Sequence, residues 1–152
     1  MIFVGIDPGQ SGALARVGDR GALLEVVPMP AIGGEVAASQ VAEILDIWSG
    51  GGPLHIFVED VHAMPKQGVA SSFKFGKSFG LVLGVIAAQE HPMTLVRPVR
   101  WKPEFRLTGK DKDMARLKAI EMWPDKKQCF KLKKDVDKAE AALIAEYGRR
   151  VW

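Results

Sequence analysis

The 152-residue sequence predicts an α/β fold: a mixed five-stranded sheet, three antiparallel strands followed by parallel ones, with helices on both faces. Short apolar runs separated by turn residues fill the first third of the chain. Helical periodicity then alternates with compact apolar runs, and two helical patterns close the sequence. The predicted order is βββαβαβαα.

Met1–Asp7, Gly12–Val17 and Ala22–Pro28 read as strands, joined by turn-forming residues at Pro8 to Gly12 and at Gly18 to Gly21. Connections this tight make an antiparallel meander. From Glu35 to Trp48, the residues Val36, Val41, Ile44, Leu45 and Trp48 recur at helical spacing, and the run from Ser49 to Pro53 stops the helix. Leu54 to Val58 is a compact, mainly apolar run closed by Glu59 and Asp60, the pattern of a buried central strand that delivers polar groups at its carboxyl end. A loop containing Met64, Pro65, Lys66, Gln67 and Gly68 follows, then a helix from about Ser71 to Gln89 and a short strand over Met93–Val96. Asp111–Trp123 reads as a helix stopped by Pro124, and Asp135–Tyr147 as the last helix, stopped by Gly148. No repeat or long linker divides the chain, so one domain over residues 1–152 is expected.

A chain of this length can bury enough apolar surface to fold without disulfides. The single cysteine, Cys129, excludes an internal disulfide, and Met1 to Asp7 lacks the basic start and cleavage site of a signal peptide. A cytoplasmic location is expected. The longest apolar candidate, Leu81 to Ala88, is shorter than the roughly 20 residues of a membrane helix, so no membrane span is expected. The formal net charge of +3 names no partner by itself, but its distribution is uneven. Basic residues outnumber acidic ones more than twofold between Arg97 and Lys134, while Met1 to Asp60 is acidic on balance. One part of the surface is therefore expected to be positive, with phosphate as its partner. The run Lys126, Lys127, Lys131, Lys133 and Lys134 fits a solvated loop equally well.

Asp7 ends the first strand and Glu59 the fourth. If those strands lie side by side and parallel, the two carboxylates emerge together and repel, unless a cation sits between them or one takes a proton. Asp60 ranks below Glu59, because alternation along a strand points the two to opposite faces. Asp137 and Glu140 are three residues apart and share a helix face. Such pairs also occur on solvated helices, but Glu140 lies within the small, apolar run Ala139 to Ala145, where a carboxylate needs a partner. Asp135 is the rival to Asp137; five residues from Glu140, it turns away and has Lys133, Lys134 and Lys138 to pair with. Hard oxygen donors suit Mg²⁺, with Mn²⁺ as a substitute, and paired ions of this kind drive phosphodiester hydrolysis. His55, His62 and His91 form no zinc-spaced set with Cys129.

With these residues located, the chain resembles the RuvC family of Holliday junction resolvases, particularly its compact, phage-type members. The resemblance rests on Val-Gly-Ile-Asp-Pro-Gly-Gln-Ser-Gly at 4–12, Phe-Val-Glu-Asp-Val-His at 57–62, Phe-Gly-Lys-Ser-Phe-Gly-Leu-Val-Leu-Gly at 75–84, Val-Arg-Pro-Val-Arg-Trp-Lys at 96–102 and Asp-Lys-Ala-Glu-Ala-Ala-Leu-Ile-Ala at 137–145. It implies a ribonuclease H-like fold and a homodimer that nicks four-way DNA symmetrically, in a bacterial or phage-infected cell. It further implies that Asp7, Glu59, Asp137 and Glu140 hold two metal ions per site, and that Lys102 and Lys112 approach the scissile phosphate. Pro103 to Asp111 departs from the bacterial pattern, which makes Lys110 a rival to Lys112. His62 stands where bacterial members carry an aromatic residue. Lys66, Lys74 and Lys77 lie where entering DNA would pass, and Arg100, Lys102, Lys110 and Lys112 extend the expected DNA contact. Phe73, Phe75 and Phe79 fit core or dimer interface, as does the apolar face of Leu81, Val82, Val85 and Ile86.

The same carboxylates would serve a nuclease acting on other branched DNA or on RNA, since fold does not fix substrate. A non-catalytic junction-binding protein would keep the basic surface without the metal chemistry. An actin-like ATPase needs a second domain that 152 residues cannot supply.

Overall fold

The computed structural model describes residues 1–62, 66 and 68–152. Met64, Pro65 and Gln67 of the expected loop lie outside the described residues. Strands β1 (Ile2–Asp7), β2 (Ala13–Gly18) and β3 (Leu23–Pro28) form the meander, and a two-residue hairpin, β4 (Ala31–Ile32) and β5 (Glu35–Val36), leads into helix α1 (Ala38–Ser49). Then follow β6 (Leu54–Glu59), α2 (Val69–Ala88), β7 (Met93–Val96), the single turn α3 (Pro98–Trp101), α4 (Asp113–Met122) and α5 (Val136–Val151). The five-stranded sheet has the order β3-β2-β1-β6-β7. β2 pairs antiparallel with β1 and β3, whereas β1–β6 and β6–β7 are parallel, as the sequence predicts.

Alternation divides the sheet between two cores. Ile2, Val4 and Ile6 of β1 join Leu54, Ile56 and Val58 of β6 on the face covered by Val41, Leu45 and Trp48 of α1 and by Val82 and Ile86 of α2. Phe3 and Phe57 face the opposite way, toward α4, α5 and Trp101. The registers Gly5 to Phe57 and Ile6 to Val58 bring the carboxyl ends of β1 and β6 level, so Asp7 and Glu59 end their strands side by side.

Helix α5 rests directly on β1. A Cβ built at Gly5 would collide with the Ala141 carbonyl oxygen and the Ala145 amide of α5. At the far end, a Cβ at Gly148 would enter the Phe57 ring. Gly148 was expected to stop the helix; instead α5 continues to Val151, and the glycine is the point at which the helix packs against the sheet.

Two other expectations need correction. Glu35 and Val36 belong to the β4–β5 hairpin and not to α1, because two-residue strands are too short to leave a periodic signal. Helix α2 begins at Val69 and spans 20 residues, so by length and composition it is long and apolar enough to cross a membrane. Counting only Leu81 to Ala88 overlooked the uncharged glycines, serines and phenylalanines upstream. Ser78, Val82 and Ile86 of this helix are buried in the protein, while its opposite side is exposed.

Candidate active site

The carboxyl ends of β1 and β6 meet the first turns of α5, and three side chains converge there. Among the described residues, Asp7, Asp137 and Glu140 each offer a carboxylate oxygen, and these oxygens all lie within 4.8 Å of one another. Asp7 and Asp137 are half-buried, and Glu140 is buried. Glu59 is also buried, beside this group and not within it, with Oε1 accepting a 3.0 Å hydrogen bond from Trp101 Nε1.

Crowding alters the acids. Burial, followed by the charges of Glu59, Asp137 and Glu140, pushes the Asp7 carboxyl up from 3.8 to about 7, against a 3.5 Å hydrogen bond from the Gly9 amide. Burial raises Glu59 as well; the Trp101 indole and the charges of Lys102 and Lys112 oppose it, and the Glu140 charge adds to it. Asp137 is raised by burial and held back by Lys112 and by a hydrogen bond with Asp7. A cation among these acids would offset both their burial and their mutual charge. The donor set consists of hard oxygens, and it fits a divalent ion of the Mg²⁺ class.

The expected cations divide into two groups. Lys102 Nζ lies 3.6 Å from Glu140 Oε1 and 5.4 Å from the Trp101 ring centroid. Lys102, Lys110 and Lys112 line one small cavity with Glu140, and of the two rival lysines it is Lys112 whose charge acts on Asp137 and Glu59. Lys66 is exposed, with left-handed backbone at φ 69°. Lys74 lines a cavity of about 150 Å³ with Gln10, Ser71, Phe75 and Ser78. Lys77 forms a 2.7 Å ion pair with Glu35 of the hairpin. Arg100 is exposed beside Arg97 and Asp60, in a groove between β7 and the end of α5 that is separate from the acids. The exposed His62 has Nε2 3.7 Å from Asp60.

Asp135 is fully occupied elsewhere. Its Oδ2 accepts the Leu132 amide at 2.8 Å and its Oδ1 pairs with Lys138 at 3.0 Å. Burial pushes this carboxyl up, but these two partners outweigh it and hold the group low. Asp135 therefore fixes the entry to α5, and Asp137 is the one that meets Asp7. The sequence reasoning did not identify Trp101, although a buried tryptophan needs an acceptor for its N–H, and one preceding Lys102 was a signal.

No family model and no curated protein sequence matches the chain. Solved structures do. A Thermus thermophilus RuvC in complex with Holliday junction substrate aligns at a TM-score of 0.66 and 22% identity, covering 99% of this chain and 96% of that one. A second Thermus thermophilus RuvC structure gives 0.65, with the same identity and coverage. The chain has the RuvC fold. In that ribonuclease H-like frame, the acids at the ends of β1 and β6 and on α5 occupy the edge where open α/β sheets place their sites.

Crowding without a cation predicts a pH effect. Between 3.8 and about 7 the folded chain holds an Asp7 proton that the unfolded chain releases, so metal-free stability falls as pH rises through that window. Asp7→Asn should remove this loss. In thermal melts with chelator, the variant is expected to exceed the native midpoint by about 3 °C or more at pH 8 and by much less at pH 4.5. Equal differences at both pH values would contradict the raised Asp7 carboxyl.

Proposed function

We propose that the chain is a structure-specific DNA endonuclease that resolves four-way junctions by paired, symmetric nicks. The observation that carries this reading is the convergence of Asp7, Asp137 and Glu140 at the sheet edge, with Glu59 and Lys102 alongside, in a chain of RuvC fold. In this reading Asp7, Glu59, Asp137 and Glu140 hold Mg²⁺, with Mn²⁺ able to replace it, at two ions per site. Bound ions of this class supply charge to activate water and to stabilise the leaving oxygen. Lys102, beside Glu140, places a positive charge where the scissile phosphate would lie, and Lys112 serves the same region. Lys66, Lys74, Lys77, Lys110 and Arg100 contact the DNA backbone. The excess of basic residues between Arg97 and Lys134 favours a polyanionic partner. A four-way junction is preferred because one solved RuvC holds such a substrate.

Symmetric nicking calls for two active sites, and α2 offers a surface for a second copy. Val69, Phe73, Gly76, Gly80 and Gly84 are all exposed and fall along one side of the helix at spacings of three and four. Cβ atoms built at the three glycines meet nothing within 4 Å, which leaves a shallow groove beside the Phe73 ring. Two copies of this stripe related by a twofold axis would be self-complementary.

In a Mg²⁺-dependent assay on a synthetic four-way junction, with linear duplex and an RNA–DNA hybrid alongside, the native chain should nick the junction in pairs. Asp7→Asn should lose at least about 100-fold in rate. Junction binding without cleavage would point to an architectural protein, and preferred hybrid cleavage to an RNA-directed enzyme. Sedimentation should show the native chain as a dimer and Gly80→Glu as a monomer; a native monomer at micromolar concentration would count against the α2 contact.

A further inference from the structure

We infer that Trp101 is a positioning residue that fixes Glu59 as a one-oxygen ligand and steadies Lys102 at the same time; this rests on the metal-dependent nuclease reading above. Trp101 ends α3 and is fully buried. Its indole N–H can only donate, and it donates to Glu59 Oε1 at 3.0 Å. The other carboxylate oxygen remains for a cation. The face of the same ring carries the Lys102 ammonium, 5.4 Å from its centroid, and that ammonium lies 3.6 Å from Glu140 Oε1. Phe105 packs against the indole at 6.4 Å between ring centroids, tilted by 58°. One rigid group with two side-chain torsions thus links a carboxylate of the sheet to the cation that faces a carboxylate of α5.

Glu59 needs such a device. It is the last residue of β6, and the indole is the hydrogen-bond donor that fixes one of its carboxylate oxygens. Asp7, Asp137 and Glu140 are brought into one close group by the packing of α5 on β1, whereas Glu59 lies outside that group. Residues that orient a metal ligand through its remaining hydrogen-bonding atom typically contribute 10- to 100-fold to metal affinity. The two contacts of Trp101 can be separated, because phenylalanine keeps a ring under Lys102 but lacks the N–H.

The test is calorimetric titration of Mn²⁺ into the DNA-free protein, together with junction cleavage as a function of metal concentration. Trp101→Phe is expected to weaken Mn²⁺ binding about 10-fold, with its cleavage recovered by raising the metal. Trp101→Leu removes the ring as well and should stay slow at saturating metal. A folded Trp101→Phe chain that binds Mn²⁺ with native affinity would overturn the inference and leave the nuclease reading intact. Native protein that neither binds Mn²⁺ nor cleaves junctions would overturn both. Should the variants fail to fold, the native chain still decides: saturating Mg²⁺ should shift the Trp101 indole ¹⁵N–¹H resonance, and an unmoved resonance would contradict its contact with a metal ligand.

Discussion

Helix α5 lies on the bare backbone of β1 because Gly5 has no side chain, and the geometry of the acidic corner follows from that contact. A side chain at Gly5 would lift the helix and carry Asp137 and Glu140 away from Asp7. Gly148 secures the other end against Phe57, so the helix is held close along its length. The small residues Ala139, Ala141, Ala142 and Ala145 are fully buried and allow the same closeness. This packing brings the α5 carboxylates to the strand ends despite their repulsion. Hydrophobic burial along the helix offsets an electrostatic cost at its first turns.

The compensations around that cost are placed unevenly. Lys102 approaches Glu140, Lys112 acts on Asp137 and Glu59, and Trp101 donates to Glu59, while among the described residues no cation is paired with Asp7, which accepts a long hydrogen bond from the Gly9 amide. Asp7 is accordingly the acid for which the structure gives an ordinary value displaced to about 7. A divalent ion would relieve this carboxylate, raised first by burial and then by the neighbouring acids, and such an arrangement favours cation capture over mere fold stability.

Much of this architecture was legible in the sequence, for physical reasons that differ between elements. The compact run Leu54 to Val58, short and followed by two acids, reads as a strand buried on both faces, and the meander was marked by its turn residues. The β4–β5 hairpin left no pattern because two residues per strand establish no period. Gly148 misled because a glycine that ends a helix and one that admits a neighbouring ring look the same in one dimension. Periodicity placed Asp137 and Glu140 on one face of α5, but the choice against Asp135 needed its side-chain partners, Leu132 and Lys138. Trp101 was missed because its contact with Glu59 spans 42 residues, with α2 and β7 between them. Lys77 read as a free cation for the same kind of reason, its partner Glu35 being 42 residues away in the unpredicted hairpin.

Capture of a divalent cation by the crowded acids is tested most directly by a crystal structure grown with Mn²⁺ near neutral pH, with anomalous scattering used to locate the ion. An anomalous peak bound by Asp7, Asp137 and Glu140 is the expected result. Saturating Mn²⁺ with no ion at these three carboxylates would contradict it.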